Sequence, residues 1–344
     1  MGIKKKAVTL KDIARETGYS VNTVSRVLRD KPEIADSTRQ TILEVAETMG
    51  HVRNMLASSL RSGVTHTIAV ILGDVANPHF AIMMSEIEHY ARLKGYATFL
   101  LNTDEDEQLE LAAIQAALRQ SVDGIILCPA QKTPRNILYM KEKGLPFVLI
   151  GRRFAEIPTN YVVCDDELGG YLATKCLLDS GHREVLLLNG LGHISSAAER
   201  RAGYLRAHAK AGLAPRRELM VEIPVTASGC AKAIDRLMQK RVSFSAIFAF
   251  SDMFAWKSWA CLKRHGLRVP EDVSIIGFDY IHSRLELPFQ LTSISSQKRR
   301  MSTTAVDVLL AAIQEDWGKA ERQPAQQVVI HTALSEGQTV RNHA

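Results

Sequence analysis

Residues 18–28 read GYSVNTVSRVL. A glycine precedes a serine able to cap a helix, and within Val21–Leu28 the side chains Val24, Val27 and Leu28 fall on one face. Asn22, Thr23, Ser25 and Arg26 fall on the other. Upstream, Thr9 can cap an earlier helix, Asp12 three residues on makes a variant capping box, and Leu10, Ile13 and Ala14 share a side. Gly18 ends that helix. Downstream, Ser37 is read as the cap of a third helix that turns Ile42, Val45, Ala46 and Met49 inward and stops at Gly50. Two helices joined by a tight turn, the second with an outward face of hydrogen-bonding side chains, suit a helix-turn-helix in the DNA major groove. Asn can pair with adenine, Arg with guanine, and Ser or Thr can reach phosphates or base edges. The plain alternative is a solvated face on a three-helix bundle.

The rest of the composition fits a soluble, cytoplasmic chain. Its 344 residues exceed one comfortable core, so two or three domains are expected. Apolar residues make up 46% and charged residues 23%, and no apolar run reaches the roughly 18 residues of a membrane helix. The basic start MGIKKKAVTL has no apolar signal core behind it, so export is not expected. Five scattered cysteines without a CxxC spacing argue against a disulfide framework or a zinc site, and neither metal nor cofactor is expected. The net charge is +6, of which residues 1–64 carry +4, so a polyanion would bind at the N-terminal end.

From residue 66 the texture changes. TIAVILG (67–73), ATFLLN (97–102), GIILCP (124–129) and PFVLIG (146–151) read as strands buried on both faces, separated by helical segments at 79–94, 105–120 and 133–143. A parallel sheet follows from this alternation. After NYVVCDD the pattern restarts and runs to VSIIGFDY, which predicts a second α/β sheet.

The stretch TLKDIARETGYSVNTVSRVLRDKPEIADSTRQTILEVAETMGH resembles the DNA-binding domain of the LacI/GalR family of bacterial transcription repressors nearly residue for residue. The family's T-V-S-R-V core falls on Thr23 to Val27 and its specificity positions on Val21 and Asn22, so the resemblance implies DNA contacts at Thr9, Ser20, Val21, Asn22, Thr23, Ser25 and Arg26. HVRNMLASSLRSG resembles the hinge that enters the minor groove, which adds Asn54, Ala57 and the wedge residue Leu60. Arg53 stands where the family usually has proline. NPHF, SGHREVLLLNG, ERRAGY, VPEDVSIIGFD and PFQLTSIS resemble the effector-binding core, which shares the two-lobed fold of periplasmic sugar-binding proteins.

The implied architecture is an N-terminal all-α helix-turn-helix bundle at 1–52, a hinge at 53–65, and an α/β core of two doubly wound parallel-sheet lobes at 66–344. The first lobe is expected at about 66–164 and 294–324, the second at about 165–293 and 325–344, with three crossovers. Family positions place the effector between the lobes, against His79, Phe80, Cys128, Ser196, Arg200 and Asp279. Three departures bear on the ligand. Pro224 stands where an aromatic residue often stacks, Ser251-Asp252 where the family has Asn-Asp, and Arg152 with Arg153 near a usual Asp, which suggests an anionic sugar acid or sugar phosphate.

The sequence lacks the complete glycine fingerprint of a dinucleotide site and carries no P-loop, GxSxG or HExxH, so an enzyme is not expected. The expectation is a homodimeric repressor of carbohydrate-metabolism genes that binds a pseudo-palindromic operator under control of a sugar-class effector. The alternative is a regulator whose corepressor is a phosphorylated carrier protein.

Overall fold

The structure, a computed structural model, describes residues 8–28, 33–51, 63–225, 229–283, 289–318 and 324–342. The chain divides into two compact units, Met1–Thr65 and His66–Ala344.

In the first unit, α1 (Leu10–Thr17), α2 (Val21–Leu28) and α3 (Asp36–Thr48) bury Ile13, Ala14, Val24, Val27, Ile42 and Ala46 together. Thr9 and Asp12 form the expected reciprocal capping box, and Gly18 takes the left-handed conformation (φ 73°) that ends α1. The hydroxyl of Ser20 accepts from the Thr23 amide at 3.1 Å and so caps α2. The expected cap of α3 is corrected. Asp36 is already helical, its carboxylate complementing the first-turn dipole, while Ala35 holds the cap position without a side-chain bond and Ser37 lies inside the helix. The hinge positions Asn54, Ala57 and Leu60, and Arg53 with them, lie outside the described residues.

The second unit holds two six-stranded sheets. The first contains β1 (Thr67–Leu72), β2 (Ala97–Asn102), β3 (Gly124–Leu127), β4 (Phe147–Ile150), β5 (Tyr161–Cys164) and β11 (Gln327–Ile330), ordered β11-β5-β4-β3-β1-β2 and parallel throughout. Four helices serve this lobe: α4 (Pro78–Leu93), α5 (Glu107–Arg119), α6 (Arg135–Lys143) and α11 (Lys298–Gly318). The second sheet contains β6 (Val185–Asn189), β7 (Met220–Glu222), β8 (Ala246–Ala249), β9 (Ser274–Asp279), β10 (Thr292–Ser295) and β12 (Ala333–Ser335), ordered β12-β10-β9-β8-β6-β7. Its helices are α7 (Asp166–Asp179), α8 (Ser195–Lys210), α9 (Gly229–Gln239) and α10 (Asp252–Arg264). β12 runs antiparallel to β10, the one departure among the described pairings from an all-parallel core.

The central strands β3, β4, β5, β6, β8 and β9 are buried along their length, as continuous apolar runs require. β2 is not. It has β1 on one side and the sheet edge on the other, and Leu100 stays 40% exposed, so ATFLLN is an edge strand rather than a core strand.

The lobe boundaries also shift. β10 belongs entirely to the second sheet, so the first lobe resumes after Ser295 rather than at 294. The segment expected to join the second lobe from about 325 is instead two short strands: Val328 and Val329 pair with β5 in the first lobe, and the chain then crosses at His331–Thr332 to add β12 to the second. Three crossovers join the lobes, as expected, near Asp165, Ser296–Gln297 and His331–Thr332.

The ERRAGY motif has a packing reason. α7 and α8 pack so closely that a Cβ on Gly203 would lie 2.1 Å from the Glu167 carbonyl oxygen, and one on Gly170 would lie 2.3 Å from that of Arg200. Such packing carries Arg200 on α8 to the mouth between the lobes.

Candidate functional site

Two sites follow from this fold, one in each unit. On α2, Val21 and Asn22 are exposed, while Thr23, Ser25 and Arg26 are half-buried. Thr9 and Ser20 are engaged in capping: the Thr9 hydroxyl donates to Asp12 at 2.7 Å, and Ser20 and Thr23 share a hydroxyl contact of 2.8 Å. Either could still offer a lone pair, but each has a local structural task. Arg26 pairs with Glu33 across the α2–α3 connection. Tyr19, exposed in the turn beside Gly18, was not singled out from the sequence, although an aromatic residue at that place is a visible signal.

The second site lies at the carboxyl ends of the strands, where open α/β sheets bind ligands. From the first lobe it is lined by Asn77, His79, Phe80, Met83, Glu105, Cys128, Gly151 and Arg152, and from the second by Ser196, Arg200, Val225, Phe250, Ser251 and Asp279. The free space between these side chains is about 50 Å³, room for a few waters. The lobes therefore stand closed on their own side chains.

Each wall has a local cause. Asn77 caps α4 by accepting from the His79 amide at 3.1 Å, and Pro78 fills the first helical position, which aims His79 and Phe80 inward. Ser251 caps α10 through the Phe254 amide. Asp279 ends β9 at φ 107°, a left-handed value uncommon outside glycine. That turn is held from the other lobe, since the Lys298 ammonium at the start of α11 donates to the carbonyls of Asp279 and Tyr280.

The charges are arranged in pairs. Arg152 donates to both carboxylate oxygens of Glu105, at 2.6 and 2.8 Å, and to the Pro129 carbonyl at 2.9 Å. Arg200 donates to Asp166 at 2.7 Å and to the Phe250 carbonyl, and its guanidinium carbon stands 3.5 Å from the Phe278 ring centroid. Arg153 reaches Glu199 at 2.8 Å. Both arginines that suggested an anionic ligand thus have a glutamate partner. Asp279 faces His79 Nδ1 at 3.3 Å. Burial, reinforced by Lys298, Arg200 and Arg152, holds the His79 ring well below its ordinary pKa, while burial lifts Asp279 to about 6 against those cations. The contact is a neutral imidazole beside a carboxylate. The Cys128 thiol, pushed up to about 12 by burial, contributes a protonated apolar wall.

Two expected residues are elsewhere. Pro224 lines a separate groove between β7 and α9, and Val225 takes the place expected of it. Asp252 lies behind the cleft, accepting from the Ser293 hydroxyl at 2.6 Å and the Ile281 amide at 2.7 Å. Burial and the nearby Asp279 charge raise it to about 7. Glu105, Met83 and Phe250 were missed from the sequence. A single acid after an edge strand carries no spacing signal, and Met83 and Phe250 read as core.

The chain matches two family models: residues 9–54 match bacterial regulatory proteins of the lacI family, and residues 65–336 match the periplasmic binding proteins and sugar binding domain of the LacI family. The HTH-type transcriptional repressor PurR of Aliivibrio fischeri strain MJ11 is 32% identical over 310 residues, covering 89% of this chain and 92% of the relative. A Lac repressor dimer bound to operator and the anti-inducer ONPF superposes with TM-score 0.83 at 22% identity, covering 98% and 100% of the two chains. A complex of the transcriptional regulator CelR with cellobiose gives 0.72 at 24% identity, covering 96% and 99%. At these identities the two structures speak for the fold.

Proposed function

Because the chain belongs to the LacI family of bacterial regulatory proteins, we propose that its interlobe cleft takes a neutral purine-class base, which sets its affinity for operator DNA. The protein is a DNA-binding transcription repressor with an effector-binding domain, and its relatives are repressors rather than enzymes. One observation carries the choice of ligand. Arg152, Arg153 and Arg200 each have an acidic partner, whereas the buried Asp279 carboxylate faces a neutral ring and, among the described residues, has no other donor. A buried carboxylate of this kind favours a ligand that brings N–H groups and no negative charge. Phe80 and Phe250 supply flat apolar walls for a planar ring.

The PurR relatives support a purine over the carbohydrate expected from the sequence, and they lend no support to a phosphorylated carrier protein as corepressor. The closed cavity of about 50 Å³ is too small for a base, so the ligand enters an open form and shifts the balance between open and closed lobes. By analogy with the dimeric Lac repressor neighbour, we place the protein as a cytoplasmic homodimer on a pseudo-palindromic operator. Val21, Asn22 and Arg26 of each copy would read one half-site, with Leu60 in the minor groove. No described helix is long and apolar enough to cross a membrane.

Calorimetry of the full chain with purine bases, neutral sugars and sugar acids tests the ligand. Binding of a purine base with a matching change in operator affinity is expected. Binding confined to neutral sugars would overturn the purine reading and restore the carbohydrate one.

A further inference from the structure

At the far end of α10 from the cleft, three side chains of different chemistry converge. Cys261 and His265 stand one helical turn apart on α10 and at its C-terminal cap, and Asp235 reaches them from α9. Asp235 Oδ1 lies 3.3 Å from Cys261 Sγ and 2.7 Å from His265 Nε2, and one donor atom from each residue lies within 4.8 Å of the others. Among the described residues this is the one group of three such ligands.

We propose that Asp235, Cys261 and His265 form a binding site for a divalent transition-metal ion of the zinc or cobalt class. Bond lengths of about 2.0–2.3 Å in a tetrahedral zinc site put ligand atoms roughly 3.3–3.6 Å apart. The sulfur–oxygen separation already lies near that range, and the oxygen–nitrogen pair needs to open by about half an ångström. Asp235 and His265 can supply that movement because both are partly exposed, whereas Cys261 is fixed in the core at 1% exposure. One sulfur, one imidazole nitrogen and one carboxylate oxygen select against magnesium and calcium, which take all-oxygen shells, and suit a borderline ion with water as fourth ligand on the exposed side.

The cluster already attracts a cation. The Arg264 guanidinium sits 3.3 Å from Cys261 Sγ and 4.0 Å from Asp235 Oδ2. Its side chain is 64% exposed and can swing into solvent when a metal takes its place. On binding, Sγ exchanges its proton, released to solvent, for a bond to the ion. The Nε2 proton that His265 directs at Asp235 is given up, to Nδ1 or to solvent, so that the Nε2 lone pair binds the ion, and Asp235 enters as the carboxylate it already is. Two negative ligands then balance a doubly charged ion. No spacing rule reveals the site in the sequence, because the ligands come from two helices and include a single cysteine.

The test is titration of reduced, metal-depleted full-length protein with zinc and with cobalt. One equivalent of cobalt is expected to bind with a thiolate charge-transfer band and tetrahedral visible bands. Cys261→Ser should abolish the charge-transfer band. His265→Gln, at a partly exposed position where folding is not at stake, should weaken cobalt affinity by at least tenfold, the scale known for perturbing metal-site partners. Arg264→Ala should leave affinity equal or tighter. A titration without the charge-transfer band, or cobalt binding of undiminished affinity in His265→Gln, would overturn the proposal. The second outcome would place the ion on other histidines of the chain.

Discussion

Arg152 and Glu105 form a bidentate ion pair inside the cleft, the arginine side chain 6% exposed and the glutamate 21%. Burial alone would make so enclosed a guanidinium costly, so removing its partner, or removing the arginine and leaving the carboxylate, should be worse than removing both. Arg152→Met is expected to destabilise the second unit by about 2–4 kcal/mol, reduced from the fully buried case because Glu105 retains some solvent. Arg152→Met with Glu105→Met should recover more than half of that. Urea unfolding of the two variants beside the unmodified chain checks this, and a double variant as unstable as the single would show that the pair is not the source of the loss.

The same pair fixes the charge preference of the cleft. Glu105→Gln should release Arg152 and raise affinity for sugar acids or sugar phosphates above that of the unmodified chain. Gly73→Ala should act in the same direction, because a Cβ at that position would lie 2.5 Å from Glu105 Oε1 and push the carboxylate off the arginine. Calorimetry with a sugar and its acid reads the outcome, and equal indifference to both ligands in both variants would contradict this account of the pair.

Asp279 predicts a pH profile. With its carboxyl raised to about 6, it is ionised at neutral pH and protonated below, so affinity for a ligand that donates to it should fall up to tenfold per unit as pH drops under about 6. Stability moves the other way. The folded chain holds this proton more tightly than an unfolded Asp of pKa about 3.9, so the group's contribution decreases as pH rises from about 4 to 6 and is level above that. Asp252, raised to about 7, is already largely protonated where Asp279 titrates, so Asp252→Asn should leave the midpoint of the affinity profile nearly unchanged. A profile flat between pH 5 and 8 would exclude a role for the Asp279 charge.

What could be read from the sequence was whatever a local pattern carries. Capping by Thr9 and Ser20, the left-handed stop at Gly18 and the central strands each depend on a few neighbouring residues, and all stand where the pattern put them. Most of the expected cleft positions also converge, because strand ends in this topology meet at one mouth. Partners distant in sequence were hidden. The pairing of Arg152 with a residue 47 positions earlier and that of Arg153 with Glu199 invert the charge argument drawn from two adjacent arginines. The third crossing was expected at about 325 and lies at His331–Thr332 for a related reason: two short strands with one apolar texture do not announce that they belong to different sheets.

The lobes are also joined beside the cleft. Gln131 of the first lobe accepts from the Ser195 amide and hydroxyl at 2.9 and 3.2 Å, and the Arg153 amide donates to the Ser195 hydroxyl at 3.1 Å. Gln131 holds this place at φ 64°, a strained value for its type. Gln131→Ala removes two hydrogen bonds across the gap and should shift the closed–open balance by about 1–2 kcal/mol, roughly five- to thirtyfold. Small-angle scattering should show a larger radius of gyration, and the proposed base, which the closed cavity is too small to hold, should gain apparent affinity in proportion. Unchanged dimensions and affinity would assign closure to the His79–Asp279 and Lys298 contacts instead.

On α2, the proposed reading helix, Arg26 would have to leave Glu33 to reach DNA. Both side chains are substantially exposed, at 41% and 68%, so their pairing is worth at most about 1 kcal/mol. Glu33→Gln should therefore tighten operator binding by up to about fivefold. Arg26→Ala should cost about 1–3 kcal/mol and relax specificity at one base pair. Glu33 is also an acid on the DNA-binding unit, so its removal could help by lessening repulsion of phosphates. The double variant separates the causes. If Glu33 acts by holding Arg26, Glu33→Gln gives no gain once Arg26 is alanine. If it acts on the phosphates, the gain persists in that background and shrinks with added salt, and Arg26 is then free to read its base without first breaking a pair.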